Sequence, residues 1–225
     1  MVDGEGGSVS VPQDPSDGVE VTAGTTSVAI GLPEAGEAST AITSESGAII
    51  YPSGNGAANA VVPVDNGVQM LTTITSADAP SSFAYQIDVP RGGSVTLNQD
   101  STAVISDVEG KPLITTSAPW AVDADGTAVP THYEVEGTTL IQVVDHAAGD
   151  FSYPIVADPT YWWGGKEWWS ASRVNVALAS AGVAGYVGMA GPALIVGSAL
   201  LLCNQAGRGI WVYWTWAGQA WCKGP

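Results

Sequence analysis

Between Val19 and Asp158, apolar and polar positions alternate in short runs. The clearest run is Phe83 to Val89, in which every second side chain is apolar. A period of two is typical of a half-buried β-strand, whereas a helix repeats every three to four residues. The same pattern predicts further strands over Val68–Ile74, Ser94–Leu97, Thr102–Ile105, His132–Val135, Thr139–Val144 and Phe151–Val156.

Glycine and proline clusters separate these runs, at Pro90–Gly93, Glu109–Pro112, Asp125–Gly126 and Glu136–Gly137. Such clusters favour turns, because glycine adopts left-handed backbone angles without steric cost. Many evenly spaced short strands with no helical period between them predict a mainly β fold, an antiparallel sandwich or barrel. Residues 1–17 are rich in Gly, Ser, Asp and Pro, which predicts a disordered linker.

After Asp158-Pro159 the pattern changes to a long apolar stretch. Residues 174–203 carry no charge. Small residues recur along a predicted helix in a ridge that allows close helix packing, marked by Gly182, Gly185, Gly188 and Gly191. About 20 apolar residues span a bilayer, but Pro192 divides this stretch near its middle. We therefore predict a helical hairpin that packs on the β domain, inserts partly into a membrane or self-associates.

The C-terminal segment is dense in β-forming residues over 209–216, and Ala217-Gly218-Gln219 offers a turn before Ala220–Cys222. This predicts a small β-hairpin. The chain has two cysteines, Cys203 and Cys222, which flank the segment. We expect a disulfide between them, worth about 3 kcal/mol by chain-entropy estimates; two free buried thiols are the alternative. The chain thus divides into a linker (1–17), an acidic β domain (18–158) and a Trp-rich helical and β part (159–225).

Eight of the nine tryptophans follow residue 158. The indole ring is apolar and its N–H needs a polar partner, so tryptophan suits interfaces. Three interpretations stay open: a membrane-interface belt, a sugar-stacking surface, and plugs that cover the end of the β domain. The candidate interaction surface comprises Trp162, Trp163, Trp168, Trp169, Trp211, Trp214 and Trp216.

Charge is divided as unevenly as tryptophan. Residues 1–158 carry 21 acidic and two basic residues, a formal charge of −19, whereas residues 159–225 carry +3. The net charge of −16 argues against nucleic acid as a partner, because the phosphate backbone would be repelled. We expect a membrane or a cell-wall surface instead.

No catalytic or metal-binding arrangement stands out in the sequence. The GxSxG turn of many serine hydrolases is missing, and His132 and His146 are interpreted as structural or surface residues. Asp123-Ala124-Asp125-Gly126 fits a side-chain-capped turn, since later positions lack the oxygen ligands of a calcium loop. Two cysteines without a nearby histidine fall short of a zinc site. We expect a non-enzymatic protein without a cofactor or metal.

Several segments between Phe83 and Pro159 are distinctive: Pro119–Gly126, Val129–Tyr133, Gln142–His146 and above all Tyr153-Pro-Ile-Val-Ala-Asp-Pro159. They resemble a β module of secreted actinobacterial proteins whose function is not established, and the last one also resembles β domains of wall-associated repeat proteins. The resemblance covers about a third of the chain and implies a carrier module that precedes a variable C-terminal segment. It implies no catalytic residues. Residues 203–210 resemble C-terminal caps of such proteins, and their composition is similar to that of small bacteriocins.

The first residues, Met1-Val-Asp-Gly-Glu, lack the basic and apolar regions of a signal peptide. Because a disulfide suits an oxidising compartment, we expect a secreted, extracellular or cell-surface protein whose leader was removed or lost. The favoured hypothesis is an acidic carrier with a membrane-active or interaction segment, bacteriocin-like in its sharpest form. The alternatives are a cell-surface module that binds glycan or protein, and a hydrolase without a recognisable motif.

Overall fold

The computed structural model describes residues 2–4, 7–44, 47–171, 209–215 and 220–223. These residues form mainly antiparallel β-structure, as the alternation predicts. The strands are β1 (Val2–Gly4), β2 (Gly7–Ser10), β3 (Val19–Ala23), β4 (Thr26–Ile30), β5 (Ile42–Thr43), β6 (Ile49–Tyr51), β7 (Ala57–Val64), β8 (Gly67–Ile74), β9 (Ser82–Asp88), β10 (Ser94–Leu97), β11 (Ala103–Ser106), β12 (Pro112–Thr116), β13 (Trp120–Val122), β14 (Thr131–Glu136), β15 (Thr139–Val144), β16 (Ile155–Asp158), β17 (Thr160–Trp162), β18 (Gly164–Trp169), β19 (Ile210–Thr215) and β20 (Ala220–Lys223). Two short 3₁₀ helices span Pro15–Asp17 and Ala35–Glu37.

The described strands belong to three sheets. Sheet I has the order β1-β2-β3-β4-β9-β15-β14. Sheet II runs β10-β11-β12-β17-β8-β7-β6-β5, with β16 also paired to β8 and β13 paired to β16. Sheet III is the three-stranded β18-β19-β20. Strands β19 and β20 pair as the predicted C-terminal hairpin. Strand β18, which precedes residues 172–208 in the sequence, pairs with β19.

One hydrophobic core contains residues from both sheets I and II. Strand β9 shows why the sequence folds this way, because Phe83, Tyr85 and Ile87 are buried while the residues between them are exposed. Sheet II contributes Met70 and Ile74 from β8. Burial of each such side chain stabilises the fold by about 1.5–3 kcal/mol. The predicted turns also form, with positive φ at Gly92, Gly110, Gly126 and Gly137.

The N-terminal segment differs from the predicted linker. Strand β2 pairs with β3, and the side chain of Val9 is 1% exposed in the core. The hydroxyl of Tyr51 donates a hydrogen bond to the Pro12 carbonyl at 2.6 Å. Composition misleads here because a single buried valine and the ladder of an adjacent strand order a glycine-rich stretch.

The predicted strand over Phe151–Val156 begins only at Ile155. Before it, Ser152 N–H donates to the Asp123 carboxylate, and the Ala124 N–H donates to the Ser152 carbonyl. These bonds tie the segment to the Asp123 turn instead of to a ladder. The residues before Ile155 therefore form a loop although they are β-forming by type.

The chain passes Asp158-Pro159 without leaving sheet II. Strand β16 pairs with Thr72–Ile74 of β8, and β17 pairs with Gly67–Gln69 of the same strand. Between them, the Met70 N–H donates to the Pro159 carbonyl at 3.0 Å. Pro159 itself interrupts only the partner on the other edge, which changes from β13 to β12. The compositional border at 158/159 thus lies inside a continuous β ladder.

The predicted helical hairpin, its glycines (Gly182, Gly185, Gly188 and Gly191), Cys203 and Trp216 lie outside the described residues. The predicted disulfide from Cys203 to Cys222 does so too.

Gly67 tests how tightly β17 packs along β8. A Cβ at this position would overlap the Tyr161 carbonyl oxygen and lie 2.9 Å from the Trp162 ring. We expect Gly67→Ala to lower the free energy of unfolding by roughly 2–4 kcal/mol, measured by urea denaturation. Gly36→Ala is the matched control, since nothing lies within 4 Å of its added Cβ. Equal stability of the two variants would contradict this packing.

Candidate functional site

Sheet III combines aromatic and basic residues on one face. Its register sets Lys166 and Trp221 opposite Tyr213, and Trp168 and Lys223 opposite Trp211. Residues directly opposite each other in an antiparallel ladder share a face. We call the face on which the described side chains of Lys166, Trp211 and Tyr213 lie the aromatic–lysine face.

The described side chains of β19 follow the same alternation. Ile210 and Val212 are fully buried, whereas Trp211 between them is 37% exposed. The Lys166 ammonium lies 5.9 Å from the centre of the Trp211 ring, within cation–π range. The face therefore presents an amphipathic indole and a positive charge side by side.

An ion pair links this face to sheet II. The Lys166 ammonium donates to the carboxylate of Asp65, in the turn between β7 and β8. That hydrogen bond raises the pKa of Lys166 above its usual value. The backbone N–H of Trp163, the residue immediately before β18, donates to the backbone carbonyl of Asn66 at 3.0 Å. Sheet III is thus attached at the β7–β8 turn through both a side chain and the backbone.

Tryptophan rings lie over glycines at three places around this junction. A Cβ added to Gly7 would meet the Trp163 indole at 2.6 Å, and one added to Gly165 would meet the Trp214 ring at 2.6 Å. A Cβ added to Gly67 would lie 2.9 Å from the Trp162 ring. An aromatic ring over a strand glycine shields backbone that lacks a side chain of its own. Glycine and tryptophan are therefore complementary parts of this packing.

The predicted interaction tryptophans have different environments. Trp163 is 1% exposed in the core of sheets I and II, as expected of a plug, and Trp162 and Trp214 are half-buried. Trp211 is exposed on the aromatic–lysine face. Trp168 and Trp169 form the end of β18. Lys166 and Tyr213 are not among the predicted interaction residues, and the one indication of them in the sequence is their two-residue spacing from Trp168 and Trp211.

A buried carboxylate lies at the junction of β16 and β17. Asp158 is 1% exposed, and its Oδ2 accepts hydrogen bonds from Gln69 Nε2 at 3.1 Å and Thr160 Oγ1 at 2.9 Å. Burial raises the pKa of Asp158, while these donors and the Trp120 side chain oppose the shift. These neutral donors thus offset part of the desolvation that burial imposes on the carboxyl group.

Tyrosines surround this carboxylate. The Tyr133 hydroxyl donates to the Asp158 carbonyl, and the Tyr85 and Tyr161 rings meet edge to face, 6.2 Å apart. Burial raises the pKa of Tyr161 well above its usual value, and no hydrogen-bond partner for its hydroxyl is found among the described residues. Burial likewise raises the pKa of Tyr85 and of Tyr133.

His146 superficially resembles a catalytic base, because its Nε2 lies 3.3 Å from Ser81 Oγ. The same Nε2 lies 3.1 Å from the Pro80 carbonyl, which accepts but cannot donate. Nε2 therefore donates to that carbonyl, while the Tyr153 hydroxyl lies 2.9 Å from Nδ1 and donates to the His146 backbone carbonyl at 3.2 Å. A protonated Nε2 cannot take a proton from serine. The ring is fully buried and connects the loop before β16 to the start of β9.

The Asp123 turn is satisfied by the protein itself. Its Oδ1 accepts the N–H groups of Asp125 and Thr127, and its Oδ2 accepts that of Ser152. These bonds hold the pKa of Asp123 below its usual value. Asp125 in turn accepts from the Ser152 hydroxyl at 2.6 Å. Both carboxylates thus serve the turn, as the sequence predicts.

Within the described ranges, no group of three or more His, Cys, Asp or Glu residues is arranged to hold a metal ion. Among those same residues, no helix has the length and apolar character to cross a bilayer. No protein-family model matches the chain, and neither a curated protein nor a solved structure shows significant similarity to it.

The two histidines provide a matched pair for mutation. We expect His146→Ala to lower the free energy of unfolding by roughly 2–4 kcal/mol, because it leaves a cavity and unpaired buried groups. His132→Ala changes it by less than about 0.5 kcal/mol, since that side chain is 53% exposed. Urea denaturation of both variants measures the difference. A silent His146→Ala would show that the ring does not fix the loop.

Asp158 gives a pH test with a defined sign. Its pKa is raised in the folded state, so its contribution to stability is fully present below the unfolded pKa of about 4 and is lost as pH rises through the folded pKa. Asp158→Asn lacks this titration. The free energy of unfolding of the variant, relative to the natural protein, should therefore rise from about pH 4 upward and then level off.

Asp123→Asn is the contrasting control. The pKa of Asp123 is lowered in the folded state, so the stability that this group contributes is present above its unfolded pKa and is lost as pH falls through the folded pKa. The two variants should show opposite slopes in urea denaturation across the acidic range. Parallel slopes would contradict the assignment for Asp158.

Proposed function

We propose that this is a secreted, non-enzymatic protein in which an acidic β domain presents residues 170–209 to a membrane. The apolar run within them, residues 174–203, is the membrane-active or interaction segment of this proposal. The observation that carries it is the register of β18 with β19, in which Trp169 pairs with Ile210. The segment therefore begins and ends at paired residues of one ladder.

Chain geometry limits what such a segment can do. Paired Cα atoms in an antiparallel ladder are about 5 Å apart, whereas a single membrane crossing would separate its ends by about 30 Å. A membrane-inserted segment that starts at the end of β18 and ends at the adjacent β19 must therefore reverse its direction. This supports a helical hairpin with Pro192 near its turn over a single transmembrane span.

The charge distribution also supports a carrier. Residues 1–158 carry a formal charge of −19, and a net charge far from zero keeps a protein soluble. An apolar run of this length needs such a soluble partner outside the membrane. The glycines of the predicted ridge would let the two arms, or two copies of the chain, pack closely.

Cleavage at Asp158-Pro159, which would release residues 159–225, is disfavoured. Both residues are buried, and the flanking strands pair with β8 on one edge and with β13 and β12 on the other. A protease would have to open the middle of sheet II to reach the bond. We therefore propose presentation in place, with the Cys203–Cys222 disulfide joining the returning arm to β20.

A second candidate function, binding of cell-surface glycan, is favoured by one observation. Trp211 is exposed beside Lys166, and an exposed indole ring can stack on the apolar face of a sugar. The extracellular or cell-surface location and the likeness to secreted carrier modules are parts of both proposals.

Excision of the segment tests the main proposal. Replacement of residues 172–208 by a short Gly-Ser turn keeps β18 and β19 in one hairpin. We expect the intact protein to sediment with vesicles of phosphatidylcholine and phosphatidylglycerol in equal parts and to release an entrapped dye. The protein in which the turn replaces residues 172–208, called the excised protein below, should release no dye. Equal dye release by the two proteins would refute the proposal.

A point variant tests the same idea without a change of length. Leu200→Lys with Leu201→Lys places two charges in the apolar run, and each costs about 2.5–3.5 kcal/mol at the centre of a membrane helix. We expect dye release to be lost. Val108→Lys, at a residue that is 70% exposed on the β domain, is the matched control and should leave dye release unchanged.

A further inference from the structure

We propose that the aromatic–lysine face of sheet III docks on the headgroup layer of a phospholipid membrane, with Trp211 and Lys166 as its principal contacts. The membrane itself comes from the proposed function, but the docking does not require insertion of the apolar segment. The face and the segment thus make separable contributions to membrane binding.

The chemistry of the described side chains fits a lipid–water boundary. Trp211 is 37% exposed, and indole prefers the boundary because its ring is apolar and its N–H is polar. Lys166 lies against that ring and adds a positive charge. Other large apolar side chains exposed in the described ranges, such as Ile42, Leu97 and Val108, lie on strands or turns of sheet II.

Basic residues are concentrated in the C-terminal part of the sequence of an otherwise acidic protein. Of the six Lys and Arg residues, two precede residue 159 and four follow it. Lys166 and Lys223 belong to sheet III, and in the sequence Arg173 and Arg208 bracket the apolar run. A lysine or arginine near an anionic leaflet contributes about 1 kcal/mol.

Docking of this face is also compatible with insertion of the apolar segment, as distances along the strands show. Trp211 follows Ile210, whose pairing with Trp169 closes the ladder. Lys166 is three residues back from Trp169, or about 10 Å at 3.4 Å per residue. A headgroup layer is about 5–8 Å thick on each side of the hydrocarbon core. A segment that enters the bilayer from this edge therefore brings Trp211 into the headgroup layer and Lys166 to its border.

The ion pair between Lys166 and Asp65 allows a test in which two substitutions change membrane binding in opposite directions. Asp65 competes with lipid phosphate for the Lys166 ammonium. We expect Lys166→Gln to weaken binding to vesicles of phosphatidylcholine and phosphatidylglycerol about fivefold and Asp65→Asn to strengthen it. A purely structural ion pair predicts a change of the same sign in both variants, because each breaks the same contact.

The experiment uses the intact protein and the excised protein that lacks residues 172–208, with binding measured by co-sedimentation. We expect the excised protein to retain weak, reversible binding, and Trp211→Ser to reduce binding severalfold in both backgrounds. Leu97→Ser, at a residue that is 44% exposed on β10, is the matched control and should have no effect. Urea denaturation of each variant separates loss of binding from loss of folding.

The outcomes distinguish the two proposals. If the excised protein binds but the intact protein releases no dye, the docking face stands and insertion of the segment fails. If the intact protein releases dye while Trp211→Ser and Lys166→Gln bind as it does, the docking face is refuted and the segment stands. Retention of the excised protein on a neutral polysaccharide but not on vesicles overturns docking in favour of glycan binding.

Discussion

The pairing of β8 with β16 and β17 is the contact on which the rest of this structure depends. Along one edge of β8 the chain runs from Ile155 to Trp162, and Pro159 still accepts a ladder hydrogen bond from Met70. The run delivers Trp163 to its position over Gly7 and starts β18 immediately afterwards. The acidic β domain and sheet III are therefore joined through one residue, Trp163, between β17 of sheet II and β18 of sheet III. Their relation is set by backbone hydrogen bonds in addition to the side-chain contacts between them.

Sequence pattern predicted what depends on local periodicity. Ser94–Leu97 and Thr139–Val144 form strands with the predicted bounds, and in the second of them half-buried and buried side chains alternate strictly. The 158/159 border was placed by charge, yet charge reports which residues face water and says nothing about which strand edges pair. Strand β17 is short and buried, so neither alternation nor charge predicts it from the sequence. The Ser170–Gly209 excursion between β18 and β19 has no local signal either, since pairing across it is long-range.

The tryptophans illustrate the same limit. The tryptophans after residue 158 have different environments, since Trp163 is buried and Trp211 is exposed. The environment of each ring depends on the residue next to it. Trp163 meets Gly7, which leaves room for the ring, and Trp211 stays 37% exposed with the Lys166 ammonium over its ring. These facing partners lie far away in the sequence, so the two environments are indistinguishable until the register is known.

Because Trp169 and Ile210 are held together by the ladder, the β domain is insulated from the length and sequence of what connects them. Loop-closure entropy rises slowly, by about 0.6 kcal/mol for each doubling of loop length. A connection of another length that still leaves from Trp169 and returns at Ile210 would therefore cost little in the folding of the sheets. By the same reasoning, the ladder between β18 and β19 is a suitable insertion site for the display of foreign hairpin-forming segments.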